Sequence, residues 1–218
     1  MYPAGNLFIP APHGQLEGIL KEPRDKSNIR GVALVLHPHP MHGGTMHNKV
    51  VFRAAAALND AGLVSLRINF RGIGQSTGTH DEGRGEKVDV QTALAYLTEY
   101  YPGQEVTLAG FSFGSRVGLE VGVSDARVVR LIGLGVPVTL YDVSFLQQCR
   151  KPILFVHGDH DEFGNVEDLK TMISKIPDET LVQLVVVKDA DHFFAGHLDE
   201  MKNAIIEWME KQLKDSGH

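Results

Sequence analysis

Four short stretches carry side chains that could do chemistry. Residues 36–47 read LHPHPMHGGTMH, residues 110–114 read GFSFG, residues 157–163 read HGDHDEF and residues 189–194 read DADHFF. The first stretch admits two readings. His37, His39 and His42 have the H-x-H-x-x-H spacing that some metallohydrolases use to hold zinc. Those proteins usually place an aspartate before the last histidine, where Met41 stands here, and a working zinc centre needs further ligands. The second stretch is a G-x-S-x-G pattern. Its glycines lie two residues to either side of Ser112, the spacing of a serine held on a very tight strand-to-helix turn, at the positive end of the following helix. A serine nucleophile needs a base, and the base needs an orienting acid. Asp161 in the third stretch and His192 in the fourth can supply them, in the chain order Ser, Asp, His.

These side chains act together only if the fold brings them to one place. The short continuous apolar run at 31–37 reads as a strand buried on both faces, 63–70, 105–111, 128–136, 152–158 and 181–188 also read as strands, and 16–22, with a loose period of two, as another. Helical periodicity marks 46–61, 86–100, 115–123, 165–176 and 198–213. Strand and helix therefore alternate, which predicts an α/β domain with a mostly parallel central sheet and helices on both faces. The first strand or two, ahead of any helix, are expected to form an antiparallel edge. Residues 1–218 show no internal repeat, low-complexity tract or long linker, so one domain is expected. In such sheets ligands sit beyond the carboxyl ends of the strands. All four chemical stretches begin where an expected strand ends.

The bulk composition narrows the classes. The chain has 218 residues and a net charge of −6, without a basic run, so nothing argues for nucleic acid or an anionic membrane. The single cysteine, Cys149, cannot build an internal disulfide and reads as a small buried hydrophobe. There is no signal-peptide pattern at the start and no run of about 20 apolar residues, so a cytoplasmic protein is expected.

Five motifs, in order, resemble one family. HPHPMHGGTMHNKV, NFRGIGQSTG, GFSFG, GDHDEF and ADHFFAGHL together look like the α/β-hydrolases, and specifically the short bacterial hydrolases of about this length. The resemblance covers nearly the whole chain. It implies Ser112 as nucleophile, Asp161 as acid and His192 as base. Asp159, two residues earlier, is the rival acid; in the superfamily's G-D-x-D pattern the second aspartate usually reaches the histidine. Asp189 and Asp191 are then expected to shape the His192 loop, and His160 and His197 to lie at the surface. In related enzymes the loop after the first parallel strand reads H-G-x-P and its third residue donates a backbone N–H to the oxyanion. The matching tetrapeptide is His37-Pro38-His39-Pro40. Prolines have no N–H, so His39 is the expected donor, with Met41 the weaker candidate, and Phe113 after the nucleophile supplies the second N–H. The histidine loop is thereby an oxyanion loop with imidazoles that pack, and Thr45 is a candidate cap for the helix that follows. Arg71 and Ser76, in the R-G-x-G-x-S turn, are expected to brace the site, and 81–86, DEGRGE, to form a surface loop.

The expected activity is hydrolysis of small acyl esters by a Ser-His-Asp triad through an acyl-enzyme, with no cofactor and no metal. The 137–151 connection is too short for a helical lid domain, which favours an open site and small soluble substrates. Phe111, Phe113, Phe163, Phe193 and Phe194 are candidates for its apolar walls or for the core. Thioester, lactone, amide or C–C hydrolysis on the same triad, a non-catalytic binding protein of this fold, and a metal-dependent hydrolase using His37, His39 and His42 are the alternatives. Oligomeric state is not legible.

Overall fold

A computed structural model describes residues 5–215. Eight strands form one sheet: β1 (Gly5–Ala11), β2 (Gly14–Lys21), β3 (Val32–Leu36), β4 (Val64–Ile68), β5 (Val106–Phe111), β6 (Val128–Leu134), β7 (Ile153–Gly158) and β8 (Val182–Val187). Their order across the sheet is β1-β2-β4-β3-β5-β6-β7-β8. β1 and β2 are antiparallel to their neighbours and every later pairing is parallel. The expected antiparallel edge is there. β1 itself was not foreseen: buried Leu7 and Ile9 alternate with exposed Phe8 and Pro10, and an apolar ring and a proline at the exposed positions hide the polar alternation of a half-buried strand.

The central parallel strands are buried on both sides: every residue of β3, β4 and β5 is buried, whereas the edge strand β8 is mostly half-buried. Five helices supply the covering layers: α1 (Lys49–Asp60), α2 (Arg84–Tyr100), α3 (Phe113–Ser124), α4 (Val166–Ile173) and α5 (Leu198–Asp215). One face packs on α1 and α5 through Ala54, Leu58, Ile205 and Trp208. The other packs on α2, α3 and α4 through Leu94, Val117 and Leu169. Cys149 is buried as expected, and burial pushes its thiol pKa up.

Three local expectations are corrected. α1 begins at Lys49 rather than 46, and its cap is Asn48, whose side chain accepts from the Val50 N–H; Thr45 Oγ1 instead takes the His47 N–H within the preceding turn. β4 ends at Ile68, because Asn69 turns its side chain to Glu17 and Met46, and the Phe70 N–H is drawn to His37. The 81–86 stretch is not a surface loop throughout: α2 starts at Arg84, and Glu86 is fully buried, accepting from the N–H groups of Asp81 and Gly83 and facing His80 Nδ1 at 2.8 Å. Ser76 and Arg71 brace as expected: Ser76 Oγ donates to the Asn69 carbonyl and accepts from Glu17 N–H, while Arg71 grips buried Asp89.

Candidate functional site

Ser112 stands between β5 and α3 with φ 54° and ψ −124°, a backbone conformation rare for a residue with a side chain. The turn is possible because its neighbours are bare. A Cβ on Gly110 would collide with the Gly114 carbonyl, and one on Gly114 would collide with the backbone at Leu36 and His37. The same turn lifts Ser112 Oγ out of the sheet toward the loops that follow β7 and β8.

Those loops deliver the expected partners. Ser112 Oγ lies 2.9 Å from His192 Nε2, and His192 Nδ1 lies 2.8 Å from Asp161 Oδ2. The acceptor on Nδ1 is a carboxylate, so Nδ1 carries the proton and the Nε2 lone pair faces the serine. It is Asp161, 8% exposed, that meets His192. The rival Asp159 is exposed, and near it lie exposed His160 and Asp189. Asp161 is held on both oxygens: Oδ1 accepts from the N–H groups of Phe163 and Gly164 at 2.8 and 3.1 Å. Asp191 Oδ1 accepts from the N–H groups of Phe193 and Ala195 and so shapes the loop that carries His192. His197 is half-buried rather than fully solvated and faces Glu200 at 2.8 Å.

One contributor was not foreseen. His157, fully buried at the end of β7, points Nε2 at the Gly164 carbonyl and stands 3.4 Å from Asp161 Oδ2. Burial lowers its pKa, so the neutral ring with a proton on Nε2 fits both acceptors. It ties the two ends of the 158–164 loop together behind Asp161. The only signal in the sequence was its place at the start of HGDHDEF, which reads equally well as the end of a strand.

The histidine loop turns its imidazoles to different uses. His37 is fully buried, with Nδ1 2.7 Å from the Pro38 carbonyl and Nε2 accepting the Phe70 N–H at 3.0 Å. Burial drives its pKa down to about 4. Both nitrogens are engaged, so no lone pair remains for a metal. His39 Nδ1 accepts the Met41 N–H at 3.2 Å, and the His39 ring stacks on His42 with centroids 4.4 Å apart. The Met41 N–H is used within the loop, whereas the His39 N–H has no acceptor among the described residues. Phe113 opens α3, so its N–H has no intrahelical acceptor either.

A cavity of about 180 Å³ lies over Ser112 and His192, with His39, Phe113, Phe163 and Phe193 in its walls. The five phenylalanines divide: Phe111 and Phe194 are core, Phe163 and Phe193 line the cavity, and Phe113 does both. The 137–151 connection holds only a short 3-10 turn, Ser144–Gln148, yet it contributes Leu140 and Tyr141 to the wall, which the sequence did not suggest. The rings of Phe111, Phe163 and Phe193 enclose His192, whose residue is only 1% exposed. A hydroxyl, an imidazole and a carboxylate in one hydrogen-bonded line, beside two backbone donors and an apolar wall, can move a proton from oxygen to nitrogen while an oxyanion forms alongside.

Comparison with known proteins bears on the fold and the family. Residues 32–204 match the α/β-hydrolase domain family. An uncharacterized protein of Rickettsia prowazekii is 34% identical over 93% of this chain and 87% of its own length. The structure of an α/β serine hydrolase homologue from Coxiella burnetii superposes with a TM-score of 0.88 at 36% identity, covering 95% of this chain and 99% of the other. An α/β serine hydrolase without a lid from Xanthomonas campestris also superposes at 0.88, with 30% identity over 97% of each chain. The described residues include no helix long and apolar enough to cross a membrane. By sequence and by fold, then, this chain belongs to the α/β-hydrolase family, among its lidless serine hydrolases.

Proposed function

We propose that this hydrolase cleaves small acyl esters through a Ser112–His192–Asp161 triad. The observation that carries the reading is the unbroken line of hydrogen bonds, 2.9 and 2.8 Å, from Ser112 Oγ through His192 to Asp161. In the first step His192 Nε2 takes the Ser112 proton as Oγ attacks the acyl carbon. The electron pair displaced onto the carbonyl oxygen is met by the N–H groups of His39 and Phe113, each worth about 3 kcal/mol in the barrier. Collapse expels the alcohol, which takes the proton from His192. Water, activated by the same imidazole, then attacks the acyl-enzyme and releases the acid. Asp161 keeps the Nδ1–H tautomer and stabilises the imidazolium without itself being protonated. The mechanism uses no cofactor and no metal.

Small esters are favoured because the cavity is about 180 Å³ and no lid extends it. The uncharged aromatic and aliphatic walls suit an apolar acyl group. A soluble small-molecule substrate and a reducing, cytoplasmic setting are in keeping with the single buried thiol and the net charge of −6. The test is hydrolysis of p-nitrophenyl esters from acetate to decanoate by the wild type and Ser112→Ala. Activity on short chains that falls at least 10⁴-fold in the variant is expected. Activity that survives the substitution would overturn the serine mechanism.

A further inference from the structure

His157 is a buried titratable side chain that the mechanism above leaves unused. It stands near the end of β7, fully buried, and its two ring nitrogens have unequal surroundings. Nε2 faces the Gly164 carbonyl and, 3.4 Å away, Asp161 Oδ2. Both are acceptors, so Nε2 carries the proton. The hydrogen bond proper goes to Gly164. A distance of 3.4 Å is long for a second one, and what Asp161 receives is the field of the same N–H dipole. Nδ1 is buried without a hydrogen-bond partner among the described residues. An unpartnered polar atom in the interior is destabilising, and a purely apolar ring in the same place would not leave one. The ring is therefore explained by its Nε2–H and not by its packing.

The loop is shaped to receive that donor. A Cβ on Gly164 would lie 2.8 Å from His157 Cε1 and 2.5 Å from the Val136 carbonyl oxygen, so a bare residue is needed for the ring to come this close. Gly164 then passes the anchor on: its carbonyl accepts from His157, and its N–H donates to Asp161 Oδ1 at 3.1 Å. The titratable groups that face His157 are Asp161, on its own loop, and His192, from the loop after β8. Burial lowers the His157 pKa against the opposing pull of the Gly164 carbonyl and Asp161. An uncharged ring does not compete with His192 for the charge of the carboxylate.

We propose that His157 is a positioning residue for the Asp161–His192 pair. From behind the loop its Nε2–H fixes the carboxylate so that Oδ2 meets His192 Nδ1, and its neutral ring leaves the negative charge to the imidazolium that forms on His192. The inference rests on the serine reading above and adds to it a side chain that acts through Asp161 and never touches the substrate.

The experiment follows kcat and KM for p-nitrophenyl butyrate across the acid limb of the pH profile. It compares the wild type, His157→Phe, His157→Asn, His157→Gln, Asp161→Asn and the double variant His157→Phe with Asp161→Asn. Phenylalanine keeps the volume of the ring without a donor; the amide nitrogen of glutamine reaches the Nε2 position, and that of asparagine does not. His157→Phe and His157→Asn should each lose about tenfold in kcat with KM within about twofold. The midpoint of their acid limb should fall by about half a pH unit, because an imidazolium on His192 without a fixed partner is less stable. His157→Gln should stay within about threefold of the wild type, with its limb in place. In the double variant, His157→Phe should cost less than about twofold beyond Asp161→Asn alone, since it acts through that carboxylate. A limb that stays put in His157→Phe and His157→Asn, a His157→Gln as impaired as His157→Asn, or losses that multiply in the double variant would each overturn the positioning role. Where His157→Phe does not fold, the contrast between asparagine and glutamine decides alone. If Asp161→Asn is as active as the wild type, the serine reading itself has failed and the proposal falls with it.

Discussion

Two histidine-bearing regions meet at the mouth of the sheet and use the same ring in opposite ways. In the loop after β3, the imidazoles serve the backbone. His37 satisfies the Pro38 carbonyl and the Phe70 N–H, and His39 accepts from Met41. In the proposed mechanism the donor that this loop supplies is the His39 main-chain N–H. In the loops after β7 and β8, the backbone serves the imidazoles. N–H groups of Phe163 and Gly164 hold Asp161, Asp191 holds the 191–195 turn, and His192 is left with one nitrogen facing a hydroxyl. The role of a histidine is thus set by what already occupies its two nitrogens, not by its density in the sequence or its spacing from other histidines.

The comparison is broken most severely at the second region. Asp161→Asn should lower kcat/KM for p-nitrophenyl butyrate by about 10⁴-fold, because an amide no longer enforces the Nδ1–H tautomer. Asp159→Asn should stay within about threefold, as expected of an exposed surface substitution. Equal losses in the two would show that the acid has been misassigned.

The first region should respond to its backbone and not to its rings. His39 has φ −54°, already close to the angle proline imposes, so His39→Pro removes the N–H with little strain of its own φ. A loss of about 10²–10³-fold in kcat is expected. His39→Ala also loses the ring and its bond to the Met41 N–H but keeps the donor, and should lose less than about tenfold. If the two variants behave alike, the oxyanion donor lies elsewhere.

Stability should report on His37. It titrates at about 4 in the folded chain against 6.5 when free, because burial disfavours the imidazolium. As the pH drops, the unfolded chain takes up this proton first. The contribution is therefore complete above about pH 6.5, declines as the pH falls toward 4, and levels off below, by about 3 kcal/mol in all. Burial lowers the pKa of His157 too, which acts in the same direction. Urea midpoints between pH 7 and 4.5 measure the decline, and His37→Gln should show a shallower one from a lower starting point. A variant curve parallel to the wild type would refute this assignment. The smallest effect is expected from chelators. With both nitrogens of His37 engaged, the H-x-H-x-x-H spacing cannot hold a catalytic metal in this conformation, so prolonged EDTA dialysis should leave kcat/KM unchanged; a loss restored by added zinc would contradict the hydrogen-bond pattern.

Much of this was legible in the linear chain, for a physical reason. A strand buried on both faces favours a continuous apolar run, so β3 announces itself most plainly, while β4 keeps its polar Ser65 and Arg67 buried and β8 is only half-buried. A serine on a strained turn requires bare neighbours, so Gly110 and Gly114 mark Ser112. The order Ser112, Asp161, His192 follows once each is known to sit after a strand. What was illegible depends on contacts distant in sequence. Asn48 rather than Thr45 caps α1 because the turn before it consumes Thr45. Glu86 is buried because Asp81, Gly83 and His80 converge on it. Leu140 and Tyr141, in the connection after β6, and His157, on β7, join the site only because β6 and β7 lie side by side next to β5.

By itself, then, the sequence determined the layered α/β architecture and marked Ser112, since periodicity and the need for bare neighbours on a strained turn are local properties written residue by residue; Asp161 and His192 came from the order of the loops and the family resemblance. Only the tertiary structure decided which nitrogens of His37, His39 and His192 are engaged, and which phenylalanines face the cavity. Those outcomes depend on hydrogen-bond partners and packing neighbours brought together from residues far apart in the chain, and neither composition nor spacing encodes them.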